Sequence, residues 1–233
     1  MKKAWKNVCI IPARGGSKRV PKKNIINFCG KPLMVHGIEA AQKSKLFDDD
    51  IYVSSDSEEI LSVARKYGAK TIRRPDEISG DKANLEDATL HLLDVLKPKK
   101  FDYLCMIMPA SPLLDADDLK KSFAELVANR SWSNCSMSVV KYPHYPFWAL
   151  QEKNGYISFF FKKYLIDSKL LPDNIYCPIA PIRWVEVDNF LKEKKFYGKK
   201  LSKFVMPLEK SADIDTYEDI EFARRLYKLI RIK

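Results

Sequence analysis

Apolar and polar positions follow two rhythms along this chain, and the rhythm changes at regular intervals. Short runs at Val8–Pro12, Ile51–Ser54, Lys70–Arg73, Tyr103–Met108 and Ser136–Lys141 predict strands. Helix-length segments separate them, each with a start signal. Pro32 opens one through Ala41, Ser57 opens one that ends at Gly68, Asn84 caps Leu85–Leu96, and Asp115 caps Asp117–Asn129. Regular alternation through the first 140 residues predicts βα units around a mostly parallel sheet, an α/β fold of the Rossmann-like kind.

From Tyr142 to about Pro181 the rhythm breaks, with prolines (Pro143, Pro146, Pro172, Pro178, Pro181) set among aromatics. Phe147–Leu150 and Tyr156–Phe160, separated by Glu152–Gly155, predict a β-hairpin inside an inserted, aromatic-rich lobe. The main sheet cannot cover such an insert, so it predicts a homodimer buried across that lobe. The competing reading folds the hairpin onto its own domain. Strands return around Arg183–Val187 and Lys203–Met206, and a helix over Tyr217–Leu229 closes a single domain spanning residues 1–233.

Composition narrows the class. With 233 residues and 46% hydrophobic content the chain can bury a substantial core. No apolar run approaches the roughly 18 residues that span a bilayer, and the basic start MKKAWKN leads only into a short strand, so a cytoplasmic protein without membrane partners is expected. The 5 cysteines form no CxxC pair and are expected to be reduced, Cys9, Cys105 and Cys135 within strands. A net charge of +11 suits nucleic acid or a nucleotide. Beyond residue 31, however, basic groups are interleaved with acidic ones, and no nucleic-acid-binding motif occurs, so nucleic acid is not expected. His36, His91 and His144 are too scattered to give a metal-ligand spacing.

Charge is concentrated at the amino terminus, where 9 Lys and Arg precede Glu39, the first acidic residue. Five of those cations lie in the loop after the first strand, within VCIIPARGGSKRVPKKN. Gly15 and Gly16 would let the backbone approach a ligand and turn its N–H groups inward, while Arg14, Lys18 and Lys23 reach phosphate oxygens. One cation about 4 Å from a phosphate charge is worth roughly 4 kcal/mol at an effective dielectric near 20, so several could hold a triphosphate. The loop matches neither GxxxxGK[ST] nor GxGxxG. A solvated lysine-rich loop is the competing reading, in a chain with 31 Lys against 10 Arg. The strand-to-loop transition with paired glycines favours the polyphosphate, because open α/β sheets bind ligands there.

Asp213 and Asp215 flank Ile214 near the other end. In an extended segment both carboxylates project to one side and could share a divalent cation such as Mg²⁺, with Ile214 toward the core. Thr216 and Asp219 could also form a capping box for the last helix, and both readings can hold together. Pro109-Ala110-Ser111-Pro112 ends a strand, which would bring Ala110 and Ser111 to a substrate unless it is a plain proline turn. Arg74, after the fifth-decade motif Ser54-Ser55-Asp56 and at another strand end, is a phosphate or nucleotide contact or a surface ion-pair partner.

These segments, with GKPLMVHGIEAA, IYVSSDSEEI, ARKYGA before RRPDEIS, SVVKYPHYPFWA and ADIDTYEDIEFA, resemble the acylneuraminate cytidylyltransferase family, the CMP-sialic acid synthetases and their bacterial relatives, over essentially the whole chain. The resemblance implies a Rossmann-like nucleotidyltransferase fold and an enzyme using CTP and Mg²⁺. It would activate a nine-carbon sugar acid and release pyrophosphate, feeding cell-surface glycan synthesis. It implies that Arg14 and Lys18 bind the triphosphate, with Gly15, Gly16 and Ser17 in the same loop, and that Lys23 and Asn24 serve the nucleotide. Arg74 and the backbone of Ala13 would lie near cytidine, and Asp213 and Asp215 would bind the metal, Asp215 also being a candidate base. The aromatic insert would make the dimer and enclose the sugar.

Three departures from the family pattern concern the sugar side: Met108 stands for a glutamine, Leu114 for an arginine, and Ile179-Ala180-Pro181 for Asn-Gly-Ala. Polar groups replaced by apolar ones imply an altered, less polar acid of the legionaminic or pseudaminic type. The alternatives are an enzyme for another acid such as 3-deoxy-octulosonate, and a non-catalytic nucleotide-binding module, against which the Asp213 and Asp215 pair speaks.

Overall fold

In the computed structural model, which describes residues 5–80, 83–142, 144–164, 172, 174–179 and 181–231, the first strand, β1 (Asn7–Pro12), is buried at every position. A strand covered on both faces has no polar side, hence its unbroken apolar run. After the loop 13–22 come one 3-10 turn at Lys23–Ile25 and a small ribbon, β2 (Asn27–Phe28) and β3 (Lys31–Pro32). That ribbon corrects the expected helix start. Pro32 pairs with Asn27, its missing N–H tolerated at a ribbon edge, and α1 occupies Val35–Ser44.

The expected alternation follows: β4 (Ile51–Ser55), α2 (Glu58–Lys66), β5 (Lys70–Arg73), α3 (Leu85–Val95), β6 (Tyr103–Ile107), α4 (Ala116–Ala128) and β7 (Cys135–Lys141). Local chemistry sets the helix ends. The Asn84 side chain accepts from the Asp87 N–H at 2.7 Å, and Asp115 closes a reciprocal capping box with Asp118. Gly68, at φ +80°, follows α2 in a conformation that side chains resist.

In the insert, β8 (Leu150–Lys153) and β9 (Tyr156–Phe159) pair with each other through the tight turn Asn154-Gly155, whose φ angles of 54° and 78° suit the strand twist. The first strand of the hairpin begins at Leu150 and not at Phe147, and it takes in Glu152 and Lys153, expected in the turn. Pro146–Trp148 forms a 3-10 turn instead, with Pro146 opening it. Pro143, residues 165–171, Asp173 and Ala180 of the insert lie outside the described residues. The chain continues through β10 (Tyr176–Cys177), β11 (Ile182–Glu186), α5 (Val187–Glu193), which had not been foreseen, β12 (Leu201–Val205) and α6 (Tyr217–Arg231).

The sheet runs β10-β7-β11-β6-β1-β4-β5, with β12 also beside β7. It is mostly parallel: β1, β4, β5, β6, β7 and β12 share a direction, while β10 and β11 oppose it. Strand period 2 sorts the core into two layers. Cys9, Ile11, Cys105 and Trp184 face α1 and α4 in one, and Val8, Ile10, Met106 and Val185 face α3 and α5 in the other. A third cluster, with Val20, Phe28, Leu33 and Ile214, seats the β1 loop against the segment before α6. Among the described residues no helix is long and apolar enough to cross a membrane, and the 5 cysteines are free thiols.

Candidate active site

β1 has β4 on one side and β6 on the other, so the carboxyl ends of β1 and β6 border the crevice where strand order reverses. A cleft of about 520 Å³ opens there, bounded by the β1 loop, Arg74, Asn84, Met108–Ala110 and Asp215. Ser17, Lys18, Arg19 and Lys23 line one wall together with Arg14.

Fixed bonds shape the loop. The Asn24 side chain donates to the Arg14 carbonyl at 2.9 Å, and the Ala13 N–H to the Ser54 carbonyl at 2.9 Å. The Gly15 N–H is spent on the Asp56 carboxylate at 2.8 Å. This corrects the expectation of glycine amides turned inward: Gly15 is packed against α2, where a Cβ would come within 3.0 Å of the Ser57 Cβ, and a Cβ on Gly16 would meet nothing within 4 Å. Neither glycine lines the cleft, and neither does Ala13, which is fully buried beneath the loop. The positive field comes from side chains.

Arg74 is buried, not a surface ion-pair partner. Its Nε donates to the Ser54 Oγ at 3.2 Å and its Nη2 to the Ser54 carbonyl at 2.6 Å. Burial lowers its pKa from the ordinary guanidinium value, with neighbouring Arg14 adding to the effect and Asp56 opposing it. Arginine stays charged at neutral pH, so a cation held by neutral partners borders the cleft.

The carboxyl-terminal carboxylates reach the same crevice. Ile214 is fully buried while Asp215, half-buried, bonds Lys23 at 3.1 Å and Arg19 at 2.7 Å. Asp213 is exposed at the rim of an adjoining pocket of about 310 Å³. That pocket shares Lys23, Met108, Ala110 and Asp215 with the cleft, and Ser111 lies in it. The capping box forms as well: Asp219 accepts from the Thr216 N–H at 2.8 Å, and the Thr216 hydroxyl from the Asp219 N–H at 3.2 Å.

Among the described residues no group of three or more His, Cys, Asp and Glu could hold a metal alone. Two hard carboxylates beside a cation-lined cleft do fit Mg²⁺ that draws its remaining oxygen ligands from substrate phosphates.

Of the three departures, Met108, Ile179 and Pro181 line the second pocket. Leu114 is 6% exposed within the core, so its apolar character serves packing and not that wall. Ala180 lies outside the described residues. Arg183 and Lys210, which also line this pocket, were not foreseen: a lone Arg in a strand and a lone Lys before a loop carry no local signal.

The family profile described as cytidylyltransferase matches residues 8–231. The chain is 38% identical over 227 residues to a pseudaminic acid cytidylyltransferase of Campylobacter jejuni, covering 96% of this chain and 97% of that one. It is 31% identical over 222 residues to an N-acylneuraminate cytidylyltransferase of Escherichia coli, covering 94% of this chain and 51% of that one. Among solved structures, a CMP:2-keto-3-deoxy-manno-octonic acid synthetase complexed with CTP aligns with a TM-score of 0.71 at 16% identity, covering 97% of this chain and 99% of that one, which speaks to the shared fold. The chain therefore belongs to the acylneuraminate cytidylyltransferase family and is a nucleotidyltransferase with a Rossmann-like fold.

Proposed function

We propose that this enzyme transfers the cytidylyl group of CTP to the anomeric hydroxyl of a nonulosonic acid of the pseudaminic type. The new bond joins the sugar oxygen to the α-phosphorus, and the bond to the departing pyrophosphate breaks. The observation that carries this reading is the pair of adjoining pockets: a cation-lined cleft opens past Lys23 and Asp215 into a space walled by Met108, Ile179 and Pro181. A deoxygenated diacetamido acid offers more apolar surface than an ordinary sialic acid, and such a wall packs against it at little desolvation cost. The 38% identity to a pseudaminic acid cytidylyltransferase supports the same acid.

In this reading Arg14 and Lys18 hold the triphosphate, Lys23 bridges the two pockets, Asn24 fixes the loop, and Arg74 borders the nucleotide. Asp213 and Asp215 would hold Mg²⁺, which supplies charge stabilisation for the pyrophosphate as it departs. Asp215 reaches both pockets and is the side chain suited to receive the hydroxyl proton. Positioning of two bound reactants provides much of the remaining rate. CTP and free thiols suit the reducing cytoplasm.

A homodimer joined through the insert belongs to the same proposal. Tyr156 is 79% and Ile157 71% exposed on a hairpin that, among the described residues, pairs only with itself. An isolated two-stranded ribbon is marginal in water, and a second copy would cover this one.

Pyrophosphate release with CTP, UTP, GTP and ATP, each against pseudaminic, legionaminic, N-acetylneuraminic and 3-deoxy-octulosonic acids, tests the function. CTP with pseudaminic acid is the expected pair. Clear preference for N-acetylneuraminate would defeat the substrate assignment.

A further inference from the structure

Among the described residues three cations line the sugar-side pocket, and Lys23 and Lys210 have carboxylate counterions. Lys23 is bonded to Asp215. Lys210 is bonded to Asp118 at 2.7 Å and also to Asp115. Arg183 differs. Its Nε is buried without a hydrogen-bond partner among the described residues. Its guanidinium lies over the face of Tyr197, 5.4 Å from the ring centroid.

The position of Arg183 makes this more than a loose surface charge. It sits within β11, paired with Met106 of β6 on one side and Met137 of β7 on the other, so its backbone is fixed in the middle of the sheet. A partly buried guanidinium whose Nε is buried without an acceptor, beside Met108, Ile179 and Pro181, is a costly arrangement. A planar fork of donors is best relieved by a carboxylate, which it can bind with two parallel bonds.

We propose that Arg183 is the residue that binds the C1 carboxylate of the sugar acid and selects for an acid at this site. The inference rests on the sugar-acid reading of this pocket. An N-acyl carbonyl of the same substrate could offer a similar acceptor, so the experiment separates the two oxygens.

Arg183→Gln and Arg183→Lys are compared with the unaltered enzyme, using CTP with pseudaminic acid, its C1 methyl ester, and a nonulosonic acid carrying hydroxyls in place of the acetamido groups. Loss of one charge-assisted pair predicts a rise of about 10- to 100-fold in KM for both free acids in Arg183→Gln. KM for CTP changes less than about twofold, because Arg183 lies outside the nucleotide cleft. Arg183→Lys, keeping the charge but not the fork, falls between. The unaltered enzyme favours acid over ester, and Arg183→Gln erases that preference.

Unchanged KM for the acids in a folded Arg183→Gln overturns the proposal, as does a loss confined to acetamido-bearing substrates. If Arg183→Gln does not fold, Arg183→Lys decides, and an unchanged sugar KM there overturns it. Calorimetric binding of pseudaminic acid in the presence of CDP keeps the two readings apart. Acid binding that depends on Arg183 without turnover would leave this assignment standing and remove the proposed reaction, whereas turnover indifferent to Arg183 would do the reverse. An unaltered enzyme that neither binds nor converts any of these acids overturns both.

Discussion

The Lys23 ammonium lies 3.1 Å from the Asp215 carboxylate, joining residues 192 positions apart across one crevice. Arg19 bonds the same carboxylate from the solvent side at 2.7 Å. A nucleotide bound in the cleft as proposed would meet two cations already held by a carboxylate, and its phosphates would compete for them. Both partners of the second pair are substantially exposed, so the exchange costs little.

Lys18→Ala should weaken CTP binding without unfolding the protein, because Lys18 is exposed and lines the cleft. Loss of a charge-assisted contact of about 1.5–3 kcal/mol predicts a Kd for CTP raised on the order of 10- to 100-fold by calorimetry. Unaltered affinity would take Lys18 out of the site.

Asp215→Asn separates binding from turnover. It removes a negative charge from the cleft and releases Lys23 and Arg19, so metal-free CTP binding should hold or tighten. Mg²⁺-dependent pyrophosphate release should fall by about 100-fold or more. Near-UV circular dichroism checks that the fold is retained, and full turnover would refute the role given to Asp215.

For Arg74→Ala both stability and nucleotide affinity should drop. The substitution deletes two bonds to Ser54 and empties a buried site, which costs about 2–4 kcal/mol of unfolding free energy in urea melts. A purely structural Arg74 would lose stability while binding CTP normally.

Asp50 predicts a pH dependence remote from the cleft. Burial pushes its carboxyl up, but bonds donated by Lys99, Tyr52 and Lys70, with the Lys99 charge, outweigh burial and leave the pKa below the ordinary aspartate value. A depressed folded pKa contributes stability that is fully present above the unfolded value near about 3.9 and lost as pH falls through the folded one. Asp50→Asn should therefore lower stability at pH 7 by on the order of 1–2 kcal/mol. That gap should narrow as pH falls below about 3.9 in denaturant titrations, and a gap constant with pH would contradict the account.

The exposed ribbon gives a last test. Ile157→Asp with Tyr156→Asp should shift sedimentation from dimer to monomer and leave the melting of the sheet domain intact, since both side chains project from a hairpin outside the core. A species that is monomeric before substitution would dispose of the dimer.

The strands and most helices were legible in the sequence because their signals are local. The buried run at Val8–Pro12 and the caps Asn84 and Asp115 each act within a few residues of themselves. Where local signals competed, the reading slipped: Pro32 looked like a helix start and became a ribbon edge, and Phe147 looked like strand and became a 3-10 turn. The Asp213-Ile214-Asp215 pattern correctly foretold a buried isoleucine between outward carboxylates, because alternation is a property of any extended chain.

By itself the sequence determined an α/β sheet, a basic loop after its first strand and a carboxylate pair before its last helix. Tertiary structure decided that Lys23 and Asp215 meet, that Asp56 and not a ligand takes the Gly15 N–H, that Leu114 belongs to the core, and that Arg183 lines a pocket with its Nε unpartnered among the described residues. The Gly15 contact depends on β4 lying beside β1, and the place of Arg183 on the reversed direction of β11 between β6 and β7. Such appositions are fixed by packing between distant segments, to which the periodicity of neither segment is sensitive.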